Sequence, residues 1–184
     1  MTGTAESSIQ VLKQGDLQER RAAENALVSS GEKAVKPLIE SLKTERDPDV
    51  RWYVARALAR IGIPSIHPLL ELLRENTDPK VRGYAAAALS GVGEPAIKPL
   101  IEVLLGSDRT MRGEAARALC GMGPRSIPFL KKAMENAAPA ERRILETTLM
   151  RVDESGIQTA MELQGIDPSE SSFDRCRRID REPE

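Results

Sequence analysis

The sequence predicts an all-α protein, a right-handed α-solenoid of about five antiparallel helix pairs plus a closing helix. Three observations carry that prediction. The chain repeats itself every 31 residues: Pro37, Pro68 and Pro99 keep this step, as do Arg20, Arg51 and Arg82, Gly31, Gly62 and Gly93, and Leu27, Leu58 and Leu89. A further copy follows with one residue deleted, through Arg112, Leu119 and Gly123. Within each copy the apolar residues recur at helical spacing, and no strand-like alternation is present. Self-similarity of this length belongs to units that bury their apolar faces only against their neighbours.

Each copy reads as two helices. The first opens on Asp47, Asp78 or Asp108, a residue able to accept the free amide hydrogens of a helix start. Pro48 and Pro79 follow where proline's fixed φ suits the first helical position. Val50, Val54, Ala55, Ala57, Leu58 and Ile61 then form an apolar stripe that ends at Gly62, a helix-stopping residue. The other helix carries Ile66, Leu69, Leu70, Leu72 and Leu73, repeated as Ile97, Leu100, Ile101, Val103 and Leu104. Pro68 and Pro99 are expected within about its first turn, where proline is tolerated.

The end copies depart from the pattern as solenoid caps do. The apolar position of Val50, Val81 and Met111 is Glu19 in the first unit and Glu141 in the last, and Ala138 replaces the leading Asp. An opening helix is expected over 4–14, with Ile9, Val11 and Leu12 as its stripe. The units fall near 4–31, 32–62, 63–93, 94–123 and 124–152, with a closing helix at 155–164 suggested by Ile157, Ala160, Met161 and Leu163. Together these make one domain over 1–164. Residues 165–184, poor in aliphatics and dense in charge, are expected to form a disordered tail.

Composition narrows the function classes. Of 184 residues, 40% are hydrophobic, and 27 Lys plus Arg face 28 Asp plus Glu, so bulk charge points to neither nucleic acid nor membrane. Cys120 and Cys176 make no disulfide framework, and Cys120 takes the small-residue slot of Ala59 and Ser90, as a packed thiol would. Apolar runs fall short of a membrane span and no charged-then-apolar leader opens the chain, so a cytoplasmic monomer is expected.

The run Asp-Pro-x-Val-Arg, then Ala-Ala-x-Ala-Leu-x-x-x-Gly, then Ile-x-Pro-Leu-hydrophobic-Glu resembles the short HEAT-like repeat of the phycobilin-lyase (PBS lyase) type, over roughly residues 16–152. Ordinary HEAT units are longer, about 40–47 residues. The resemblance implies that the Pro-containing helices lie on the convex side and the Val-Arg helices line a concave side. It also implies an inter-repeat ladder of Asp16, Asp47, Asp78 and Asp108 with Arg20, Arg51, Arg82, Arg112 and Arg142. Relatives of this type include phycobilin lyase subunits, an iron-dependent deoxyhypusine hydroxylase and many scaffolds. The hydroxylase needs repeated His-Glu pairs, and this chain has one histidine, His67. No phosphate loop, nucleophile elbow or metal-ligand cluster emerges, so neither catalysis nor a cofactor is expected. Gly91 and Gly121, beside Gly93 and Gly123, read as parts of helix C-terminal stops.

The positions left free on the Val-Arg helices are the second, third, sixth and tenth after the Val position. They hold Arg21, Ala22, Asn25 and Ser29; Trp52, Tyr53, Arg56 and Arg60; Gly83, Tyr84, Ala87 and Gly91; Gly113, Glu114, Arg117 and Gly121; and Arg143, Ile144, Thr147 and Arg151. All the Trp and Tyr of the chain fall on this set, and six arginines there face one carboxylate, Glu114. Trp, Tyr and Arg dominate binding hot spots. The reading is a non-catalytic adaptor whose groove, with Gly83, Ala87, Gly91, Gly113 and Gly121 leaving a depression, takes an acidic or aromatic–acidic peptide. Trp52, Tyr53 and Tyr84 would anchor it, with the Trp52 and Tyr84 rings as neighbours, and Arg56, Arg60 and Arg117 would pair its carboxylates. A lyase-like maturation factor is the alternative, and a nucleic-acid-binding HEAT-like protein the third reading.

Overall fold

A computed structural model describes residues 3–152, and the chain there is an all-α solenoid. The expected closing helix at 155–164 and the tail at 165–184 lie outside the described residues. The helices are α1 (Gly3–Gln14), α2 (Leu17–Ser29), α3 (Glu32–Thr44), α4 (Pro48–Ile61), α5 (Ile63–Glu75), α6 (Pro79–Val92), α7 (Glu94–Leu105), α8 (Arg109–Met122), α9 (Ile127–Glu135) and α10 (Pro139–Val152). A 3-10 turn, Gly123–Ser126, precedes α9. No described helix is long and apolar enough to cross a membrane.

Consecutive helices pair as α1 with α2, α3 with α4, and so on to α9 with α10. The pairs stack into two layers. One holds α1, α3, α5, α7 and α9; the other holds α2, α4, α6, α8 and α10. Within the stack α4 and α6 meet more extensively than α3 and α5, because small side chains line their contact. Gly91 shows how close that approach is: a Cβ there would stand 2.8 Å from the Cβ of Ala59. At Gly121 a Cβ would lie 2.7 Å from Ser90 Oγ. These two glycines therefore let neighbouring helices approach and are not helix stops.

The stops themselves are Gly62 and its equivalents. Its φ of 81° joins α4 to α5 through a single residue, and no heavy atom crowds a Cβ there, so the dihedral alone demands glycine. Because the next helix begins at once, Pro37, Pro68 and Pro99 are sixth in their helices rather than in the first turn. Pro64 and Pro95 occupy the first-turn positions. Ser65 and Ser126, fully buried, seal two of these corners by donating to Leu58 O and Gly62 O, and to Leu119 O and Gly123 O.

Repeat-equivalent leucines form the core: Leu27, Leu58, Leu89 and Leu119 are each 0% exposed. Val50, Val81 and Met111 are buried between flanking units. At the ends the same position serves the helix start. Glu19 accepts from the Asp16 amide and Glu141 from the Ala138 amide, so these are capping-box carboxylates. In α1 the buried residues are Ala5, Ile9 and Leu12, and Val11 faces outward, as a 3.6-residue period requires.

The expected Asp–Arg ladder reduces to one inter-repeat rung, Arg51 Nη2 to Asp78 Oδ2 at 3.6 Å. The Asp carboxylates are occupied locally: Asp16, Asp47, Asp78 and Asp108 accept from the amides of their own helix starts. The arginines fold back onto the turn before their helix. Arg20 donates to Gly15 O, Arg82 to Asn76 O and Arg112 to Ser107 O. Carbonyls following a helix end lack helical partners, and a guanidinium can bond several of them at once. Arg142 instead pairs with Glu146 in its own helix.

Candidate binding face

The exposed side of α2, α4, α6, α8 and α10 carries the residues singled out above, but divides them into distinct environments. Trp52, on the first turns of α4, remains 49% exposed. Tyr53 is 8% exposed and belongs to the core. The two rings meet edge to face with centroids 5.1 Å apart, so Trp52's ring partner is Tyr53 rather than Tyr84. Tyr84 is half-buried, donates its hydroxyl to Pro48 O at 3.2 Å and lies beneath the Arg51 guanidinium.

Trp52 and Tyr84 nonetheless line common ground. Between α4 and α6 they border a depression of about 610 Å³ whose walls include Ala55, Ala59, Gly83 and Gly91. A second depression on the other side of Trp52 is bounded by Leu17, Arg20, Asp49 and Tyr53. Leu17 is 57% exposed, which lengthens the apolar strip toward α2.

Arg56 and Arg60 are already engaged. Glu24 of α2, 1% exposed, accepts from Arg56 Nε at 2.7 Å, from Arg56 Nη2, and from Arg60 Nη1 at 3.1 Å. Arg60 also donates to Asn25 Oδ1. Burial pushes the Glu24 carboxyl up, but the hydrogen bonds from both arginines outweigh it and hold the group below its ordinary range. The bond to Glu24 likewise raises Arg56. The Arg56 guanidinium lies 4.2 Å from the Trp52 ring centroid and 5.0 Å from that of Tyr53. It therefore shapes one wall of the aromatic site as a fixed cation.

Glu24 escaped the groove set because it stands one residue before the variable sixth position, where other units carry Ala55, Ala86 and Ala116. A carboxylate in an alanine slot was the legible signal. Glu114, expected in the groove, is buried at 5% with Arg82 Nε and Arg117 Nε each 3.5 Å from its oxygens. Arg117 itself is exposed, as are Arg21, Arg143 and Arg151. Cys120 is a free, partly buried thiol pushed up by burial. His67 is exposed beside Glu71, and no described cluster of His, Cys, Asp or Glu could hold a metal ion.

Two family models match the chain: HEAT repeats over residues 66–150 and the PBS lyase HEAT-like repeat over residues 50–75. No curated protein matches it by sequence. Among solved structures, the complex of CpcE and CpcF of phycocyanin lyase from Nostoc sp. PCC7120 is 21% identical, with 80% of this chain and 99% of that chain covered at a TM-score of 0.42. An engineered protein is 24% identical over 84% of this chain and 81% of its own, at a TM-score of 0.33. A computationally designed armadillo repeat protein for modular peptide recognition is 16% identical over 79% and 81%, also at 0.33. With its 31-residue period, its stacked helix pairs and both family matches, the chain carries HEAT-like repeats over residues 50–150, with a unit at 50–75 that matches the PBS lyase repeat type.

Proposed function

We propose that this protein is a non-catalytic interaction scaffold whose α2, α4, α6, α8 and α10 layer binds an acidic or aromatic–acidic segment of a protein partner. The observation that carries this reading is Trp52: half its surface is open, and it borders a depression walled by Ala and Gly. Exposed Trp consigned to such a place supplies an anchoring contact that a purely structural residue does not need, and aromatic anchors in desolvated pockets dominate binding energies. The Arg56 guanidinium against its face, and Lys80 at the rim, favour a partner that carries carboxylates as well as an aromatic side chain.

Peptide display with the parent and with the Trp52→Ala/Tyr84→Ala variant in parallel tests the reading. Sequences enriched on the parent are expected to combine aromatic residues with Asp or Glu, and to lose at least tenfold in affinity on a folded variant, about 1.4 kcal/mol. Enrichment that ignores the double change in a folded protein overturns it.

A further inference from the structure

The arginines of this face are not equivalent. Those nearest the aromatic site already face a carboxylate: Arg56 and Arg60 share the buried Glu24, and Arg117 lies against Glu114. The opposite end differs. Between α8 and α10 a depression of about 320 Å³ is lined by Arg109, Arg112, Arg143 and Arg151 around Ile144 and Thr147, with no carboxylate in its wall. Among the described residues Arg109, Arg143 and Arg151 have no ion-pair partner. Arg112 donates to Ser107 O and has its Nε buried without a hydrogen bond. Glu146 is paired with Arg142, and Asp108, outside the wall, accepts from the amides of Thr110 and Met111 through Oδ1.

The two depressions are also the same place in the repeat. Trp52 and Gly83 border one as Gly113 and Arg143 border the other, and Ala87 in the first corresponds to Thr147 in the second. They are thus related by two helix steps along one layer. Neighbouring helices in such stacks are about 8–10 Å apart. Two steps are roughly 20 Å, or about six residues of extended chain at ~3.3 Å each.

Resting on the binding reading above, we infer that the face is bipartite. An aromatic side chain of an extended partner seats between α4 and α6 against Trp52 and Tyr84. Carboxylates of the same segment, about six residues away, seat on Arg109, Arg143 and Arg151 between α8 and α10. Charge complementarity selects this occupant: four guanidiniums without a lining carboxylate call for clustered Asp or Glu, and guanidinium forks bind carboxylates in pairs. An apolar anchor belongs at the other end, where the cations already have a partner.

The test uses fluorescein-labelled peptides in which one Phe and a Glu-Glu-Glu block are joined by Gly/Ser spacers of two to ten residues, in both orders. Binding to the full-length chain is read by anisotropy. Affinity is expected to peak near a six-residue spacer in one order, at least tenfold tighter than for either half alone, since joining the halves raises their effective concentration. Arg143→Gln/Arg151→Gln should remove the tenfold advantage, with helicity preserved in circular dichroism. Both residues are exposed, so the substitution leaves the core intact.

Peptides that bind through Trp52 and Tyr84 but ignore both spacer and arginine changes overturn the bipartite inference alone and leave the binding proposal standing. No binding by any peptide, in either order, counts against both. A plain oligonucleotide that competes with steep salt dependence, and loses binding in the arginine variant, replaces the acidic segment with nucleic acid.

Discussion

Glu24→Ala separates stability from recognition at the aromatic site. The carboxylate is 1% exposed and receives hydrogen bonds from Arg56 and Arg60, so its removal breaks a network with a buried acceptor. Breaking a wholly buried ion pair costs about 3–5 kcal/mol, whereas exposed pairs contribute about 0–1 kcal/mol. Here the side chains of Arg56 and Arg60 keep 36% and 45% of their surface, so water can take over their solvation once the carboxylate is gone. Alanine is moreover the residue at this position in three other units, Ala55, Ala86 and Ala116. The expected cost is therefore intermediate, about 1–2 kcal/mol, close to the loss of a few partly solvated charged hydrogen bonds.

Urea denaturation followed by circular dichroism measures that cost at neutral pH, and repetition across pH gives a second readout. Glu24 has its folded carboxyl below the ordinary value of 4.5. Its contribution is present above that value and is lost as pH falls through the lowered folded value. The parent should therefore lose stability below about pH 4.5 more steeply than the variant does. Arg56 and Arg60, released, should bind acidic peptides at the aromatic end more tightly and flatten the spacer dependence. A variant as stable as the parent with the same acid limb would refute the network. Unchanged peptide affinity would refute the view that Glu24 occupies the cations of this end.

Leu89→Ala removes a fully buried side chain in a unit flanked on both sides, and should cost about 2–5 kcal/mol by thermal or chemical denaturation. Gly91→Ala should destabilise by about 1–3 kcal/mol through collision with Ala59, and Ala59→Gly in the same chain should restore much of it. Arg82→Ala removes the donor to the Asn76 carbonyl and leaves the buried Glu114 with Arg117 as its remaining ion-pair partner, so a loss of about 1.5–3 kcal/mol is expected, with peptide binding by the folded fraction unchanged.

How much of this was readable before any coordinates follows from which interactions are local. The 31-residue step, the apolar stripe from Val50 to Leu58 and the Gly62 stop depend on a helix and its immediate neighbours, so they are written in spacing. The Asp caps belong to the same class, since each bonds amides two or three residues ahead. The set containing Trp52, Tyr84 and the arginines was also legible, because a lattice repeats its outward positions. Which members of that set remain open was not. Tyr53 is buried with Arg20 of α2 against its ring, while Glu24 reaches Arg56 across 32 positions of chain. Of the supposed ladder arginines, Arg20, Arg82 and Arg112 turned to carbonyls of the turns before their helices, while each Asp accepts its own helix-start amides through one oxygen. Sequence by itself determined the repeat, the layers and the candidate face. Tertiary structure decided which charges cancel and which stay available, because pairing between helices depends on distances that a periodic pattern does not contain.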